Sequence, residues 1–228
     1  MPYFYYDWTM ILVIPGLLLG LYAQFKVKST FDRYSRVRTK SGLTAEAAAR
    51  MLLSRGGSAN VTISRVNGSL TDHYDPSSKT LRLSDSVYGS DSVAAVGVAA
   101  HECGHALQEH DGYGLLKLRT ALVPVVNIGS SLYLPIFMAG LLFSWEPLQM
   151  VGILCFGLTL LFSLVTLPVE INASKRALGM LEGVLDAEEL QGAKAVLSAA
   201  ALTYLASVIS SALQLLRLIL ISRSRNRD

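Results

Sequence analysis

The sequence predicts a mainly α membrane protein, with transmembrane helices plus a small α+β portion. Three observations predict it. Hydrophobic residues make up 51% of the 228 residues and charged ones only 16%, against about 25% charged in an ordinary soluble domain. Residues 8–25, 121–143 and 148–167 carry no charge at all, and each run is about as long as a bilayer crossing requires. Between the first and second of these runs, β-branched and apolar residues alternate in two short stretches, the pattern of half-buried strands.

The net charge is +3. No block of Lys and Arg is interleaved with aromatics, which sets aside nucleic acid as a partner. The two cysteines, Cys103 and Cys155, suggest no disulfide framework.

Residues 1–25 are expected to form a retained transmembrane anchor. Their flank holds Asp7 and no Lys or Arg, unlike a cleaved secretory signal. Lys26, Lys28, Arg33, Arg36, Arg38 and Lys40 follow at once. Basic residues collect on the cytoplasmic side of a membrane helix, so residues 26–120 are expected in the cytoplasm. Within them, residues 43–56 read as a short amphipathic helix that Thr44 can cap and Gly56-Gly57 can end. Residues 60–66 and 79–84 read as strands, and residues 67–78 as a turn-rich connection. A further helix is expected to begin near Ser90 or Asp91 and to run to about His110, where Asp111-Gly112 marks its end.

Residues 121–167 are expected to form a helical hairpin, turned by Ser144-Trp145-Glu146-Pro147 with Trp145 at the interface. Residues 168–194 then return to the cytoplasm as a helix, in keeping with Lys175, Arg176 and Lys194. Residues 195–228 hold a last apolar helix, broken by Arg217, and a basic tail that is expected to be mobile. Spanning would put Arg223, Arg225 and Arg227 outside, against the charge rule, so this stretch is compatible with either spanning or lying along the surface.

Residues 101–105 read His-Glu-Cys-Gly-His. On a helix, positions four apart share a face, so His101 and His105 can reach one ion. Zinc takes neutral imidazole nitrogens, and the Glu beside them is placed to take a proton from an activated water. The pattern therefore points to Zn2+, with Glu102 as catalytic base. The stretch before it, Ser92 to Ala100, is small and apolar. Titratable groups on so buried a helix need partners, and a metal is one.

A catalytic zinc site needs a third protein ligand. Glu170 is the best candidate, because a carboxylate at the end of an apolar stretch needs a partner; a simple pairing with Lys175 or Arg176 is the plainer reading. Asn172 and Ser174 are candidates for orienting ligands or contacting substrate. His73, in a polar loop, can line the cleft or bond a substrate, and His110 reads as a solvated helix end. The strand at 79–84 is compatible both with edge pairing to an extended peptide and with an ordinary place in a sheet.

The segment LTDHYDPSSKTLRLSDSVYGSDSVAAVGVAAHECGHALQ, with the later VEINASKRAL, resembles the YugP-type neutral zinc metallopeptidases of bacteria. The likeness extends over nearly the whole chain. It implies a membrane-bound zinc peptidase of the bacterial inner membrane, with a zincin-like catalytic portion that uses His101, Glu102 and His105. Related membrane peptidases of the HtpX type complete their site with a Glu-x-x-Ala-Asp. Here the stretch is Glu170-Ile171-Asn172-Ala173-Ser174, so the ligand role carries over to Glu170 and the role of that Asp does not.

The partners expected are a protein or peptide substrate near the membrane, the lipid bilayer, and a second copy or a regulatory membrane partner. The small residues of 195–212 would suit such helix packing. Two other readings fit the motif. An intramembrane protease would draw a ligand from an Asp-Gly in a membrane helix, but the only Asp-Gly, Asp111-Gly112, directly follows the motif helix. An inactive zinc-bound scaffold would need a fourth protein ligand, for which Cys103 is the nearest candidate.

Overall fold

A computed structural model describes residues 8–225. Asp7 and Arg227, on which the reading of the two chain ends partly rested, lie outside the described residues. The chain divides into two compact units.

One unit gathers the chain up to Tyr22, Leu118–Leu167 and the chain from Thr203. Its described residues are almost all helical. A 3-10 turn, Trp8–Leu12, leads into α1 (Val13–Tyr34); α4 (Gly114–Leu142) and α5 (Glu146–Leu181) form a hairpin; α6 (Ala187–Arg225) is the last described element. Phe137, Ile153, Phe156 and Leu218 form its small core. The hairpin turn is tight. A β-carbon on Gly140 would lie 2.5 Å from the backbone nitrogen of Gln149. The buried Gln149 side chain donates to the Gly140 carbonyl at 3.2 Å and accepts from the Ser222 hydroxyl at 2.7 Å. Leu17, Leu18, Ile128, Leu154 and many other large apolar side chains face outward. That surface would be a liability in water and is ordinary against lipid. Among the described residues, four helices are long and apolar enough to cross a membrane.

The helices differ from the expected segments in three ways. The first apolar run does not end its helix at residue 25; α1 continues through Lys26, Lys28 and Arg33, because Lys and Arg sustain helices well. Residues 168–194 are not one helix. α5 runs unbroken through Glu170 to Leu181, Gly183 adopts a left-handed φ of +77°, and α6 starts at Ala187 behind Asp186. Gly past a helix end and Asp before the next are the ordinary stop and start signals. The helix that carries the last apolar stretch accordingly begins eight residues before 195, and Arg217 does not interrupt it; the Arg217 guanidinium donates to Thr9 at 3.3 Å.

The other unit comprises Ala23–Lys117 and Pro168–Leu202. Thr44 caps α2 (Ala45–Arg55), as its hydroxyl oxygen accepts from the Ala47 amide. Three strands follow, β1 (Thr62–Val66), β2 (His73–Asp75) and β3 (Thr80–Ser84), in the order β1-β3-β2. β3 pairs parallel with β1 and antiparallel with β2. It is therefore central and cannot add a peptide at its edge, which corrects that expectation. β2 lies inside the stretch read as turns; three residues are too few to show an alternation. Leu81 and Leu83 of β3 point into a core shared with α2, the Ala-rich first half of α3 (Val93–His110) and Ala177, Leu181 and Ala193 of the two later helices.

Candidate metal centre

α3 is built to be buried. Its cap is Ser92, one or two residues later than expected, whose hydroxyl accepts from the Ala95 amide at 3.2 Å. Small residues then let neighbours come close. A β-carbon on Gly97 would meet Ala193 of α6 at 3.3 Å, and one on Gly104 would meet the Ala173 carbonyl of α5 at 2.5 Å. The second contact brings Glu170 of α5 to the two histidines of α3.

His101 Nε2 and His105 Nε2 lie 3.1 Å and 3.4 Å from the same carboxylate oxygen, Glu170 Oε2. All three side chains are largely shielded, at 13%, 10% and 3% exposure. A tetrahedral zinc with bonds of about 2.0–2.1 Å sets its ligand atoms about 3.3 Å apart, so the two histidine–Glu170 separations match the ion, and all three ligand atoms lie within 4.8 Å of one another. The other ring nitrogens are occupied. His101 Nδ1 meets the Ser174 hydroxyl at 3.2 Å, and His105 Nδ1 meets Gln108 Oε1 at 3.0 Å. Both rings are thus turned with Nε2 toward the carboxylate, as ligating imidazoles are held by outer hydrogen bonds. The donor set fits zinc.

Without a cation, burial acts to lower the basicity of His105. The hydrogen bond to Glu170 and the charge of Glu102 outweigh it and raise the pKa. The carboxylates thus favour positive charge at the point where the three ligand atoms converge.

Glu102 is 8% exposed, and no hydrogen bond or ion pair among the described residues uses its carboxylate. A shielded carboxylate without a structural task, beside two imidazoles, is available for proton transfer.

Asn172 takes an indirect place. Its Oδ1 accepts from Gln108 Nε2 at 3.0 Å and from Arg176 Nε at 2.9 Å. Arg176 also bonds Asp111, so neither it nor a neighbouring Lys is needed to explain the burial of Glu170. Ser174 stands where the HtpX-type pattern has Asp, and bonds a histidine from there. Gln108 was missed; it lies three residues past His105 on the same helical face and is fully buried, but a lone Gln in a helix carries no signal until its neighbours are known.

His73 is not brought to the cluster. Among the described residues the metal-ligand group is His101, His105 and Glu170. In register, His73 pairs with Arg82 and Tyr74 with the buried Leu81, so His73 lies on the sheet face away from the core. Its Nδ1 bonds the Thr71 carbonyl at 2.9 Å. Tyr74, one residue on, instead reaches Glu109 of α3. His110 is exposed at the helix end, as expected. Cys103 points away from the histidines, with Sγ 3.7 Å from the Ala49 carbonyl, and burial pushes its thiol up. Its sulfur is not among the ligand atoms that converge at Glu170.

Two imidazoles and a converging carboxylate are donor types that zinc accepts, and Glu102 stands beside them. The chain belongs to the family described as "Putative neutral zinc metallopeptidase", whose profile matches residues 9–223. It is 45% identical over 214 residues to the "Putative membrane protease YugP" of Bacillus subtilis (strain 168), covering 93% of this chain and 95% of that one. No solved structure matches the chain. The family, the relative and the four apolar helices together make this a membrane protein of the zinc metallopeptidase class.

Proposed function

We propose that the protein is a membrane-bound zinc metalloendopeptidase, with His101, His105 and Glu170 as ligands and Glu102 as catalytic residue. The observation that carries this reading is the convergence of both Nε2 atoms on one oxygen of Glu170, 69 residues from His101 in the chain. Zinc in such a site acidifies a water and polarises the scissile carbonyl. Glu102 takes the proton of the attacking water and passes it to the leaving amine nitrogen. Ser174 and Gln108 keep the two rings turned inward while this happens.

The basic residues after the first apolar run support a site on the cytoplasmic side of the inner membrane. Glu170 follows the apolar stretch 148–167 by three residues in one continuous helix. A membrane-proximal or unfolded segment of another protein is the substrate class that suits this location.

The test is the zinc content of detergent-purified protein, wild type beside Glu170→Ala, with casein hydrolysis followed on the same samples. About one zinc per chain, lost together with hydrolysis in the variant, is the expected result. Zinc held equally well by Glu170→Ala would mean that the third ligand lies elsewhere. Tight zinc in the wild type without hydrolysis of any peptide would point to a non-catalytic role.

A further inference from the structure

The Gln108 amide is held by groups whose hydrogen-bonding polarity cannot change. Its nitrogen lies 2.8 Å from the Val169 carbonyl oxygen, which can only accept. The same nitrogen lies 3.0 Å from Asn172 Oδ1, and that atom must be the oxygen because Arg176 Nε, only a donor, faces it at 2.9 Å. The amide therefore has one orientation. Its oxygen is left facing His105 Nδ1 at 3.0 Å. Toward that oxygen a neutral imidazole donates from Nδ1, which leaves the lone pair on Nε2, the form that a metal at Nε2 requires; in the metal-free protein the Glu170 carboxylate, 3.4 Å from Nε2, competes for the same hydrogen. His101 has no such constraint, since the Ser174 hydroxyl can donate or accept.

We propose that Gln108 is a positioning residue that locks His105 in its Nδ1–H form, with its own orientation set by the Val169 carbonyl and, through Asn172, by Arg176. α5 thereby contributes twice to the centre: Glu170 as a ligand, and the Val169–Asn172–Arg176 face as the template that prepares the opposite ligand. Gln108 is fully buried, so no water can take over its part. The proposal rests on the reading of His105 as a zinc ligand.

The informative change is Gln108→Met, close in size and without polar groups. In that variant Asn172 keeps Arg176, and the Val169 carbonyl keeps its partner within the helix. Only His105 Nδ1 loses its acceptor. Two quantities are measured on the full chain in detergent: zinc affinity by competition with a chelator, and, in a metal-free Glu170→Ala background where no carboxylate faces Nε2, the 15N signals of the histidine rings at a pH where they are neutral. Wild type, Gln108→Met and His105→Ala are compared.

Gln108→Met is expected to weaken zinc about 10–100-fold, the usual effect of removing such a partner, and to turn a single Nδ1–H signal for His105 into a mixture of tautomers. Unchanged affinity with a single tautomer would overturn the proposal and leave the ligand reading intact. Wild-type affinity in His105→Ala would instead overturn the ligand reading, and the metal-free ring signals would then decide the role of Gln108 alone. Should Gln108→Met fail to fold, Asn172→Leu carries the test. It removes one of the two anchors, and a smaller loss of zinc affinity with partial tautomer mixing is expected; no change in either would refute the relay.

Discussion

A β-carbon on Gly104 would lie 2.5 Å from the carbonyl oxygen of Ala173 and 3.2 Å from its Cα. These two residues are the contact at which α3 and α5 meet backbone to backbone. His101 and His105 flank Gly104 in sequence, and Glu170 lies one turn before Ala173, so the spacing of the three proposed ligands depends on this contact.

Gly104→Ala is therefore expected to weaken zinc and to destabilise the fold. In an open helix the change would stabilise by about 1 kcal/mol. Here the obstacle is backbone rather than a flexible side chain, and overpacking of that kind costs about 1–3 kcal/mol. The steric term wins. Thermal unfolding of the metal-free variant together with a zinc titration checks it; an alanine variant that matched the wild type in both would show that the helices have room to spare.

Glu102→Gln removes the proton acceptor and leaves the ligand set untouched. Zinc affinity is expected to stay near the wild-type value while kcat falls about 10²–10⁴-fold, the range for loss of a general base. Cleavage by the variant at the wild-type rate would show that another group takes the proton.

Acid should loosen the start of α6. Asp186 Oδ1 accepts from the Glu188 and Glu189 amides at 3.0 Å and 2.9 Å, and Glu189 returns a bond to the Asp186 amide, forming a capping box. Lys40 Nζ approaches the other carboxylate oxygen at 2.5 Å. The Glu189 amide first, and then Lys40, hold the Asp186 pKa below its ordinary value. A depressed folded-state pKa means that the contribution is complete above the ordinary carboxylate range, near pH 4, and is lost as pH falls through the lower folded value. Asp186→Asn still caps but cannot titrate. Acid unfolding followed by circular dichroism should show a shallower decline in the variant below about pH 5; identical acid limbs would remove Asp186 from the explanation.

Four spans would return the chain to the side on which it began. With the amino terminus outside, reporters fused to either terminus are expected to give the external signal, and a reporter in the loop Asn67–Thr71 the cytoplasmic one. Opposite signals from the two termini would mean that one apolar helix lies along the surface, with α6 and its Arg217 the first to examine.

That His101 and His105 share one face was legible because a four-residue spacing on a helix is local geometry, and the Ala-rich stretch before it announced burial. Glu170 was legible for a different reason: a charge placed at the end of an apolar run is costly without a partner. The strand at 79–84 was legible from alternation, but its central place was not. Position in a sheet depends on which strands pair, and β2 is too short to announce itself.

By itself, the sequence determined the elements and where the candidate groups stand on them: apolar runs long enough to span, a capped helix carrying His101, Glu102 and His105, and a carboxylate just past an apolar run. These follow from local periodicity and from the cost of burying charge. Only the tertiary structure decided that Ser174 and Gln108 are the groups holding the rings, that His73 faces away, and that Gly104 is the point of closest approach. Those depend on the crossing of helices distant in the chain, and a hydrogen bond between residues 60 or 70 positions apart leaves no periodic trace in either segment.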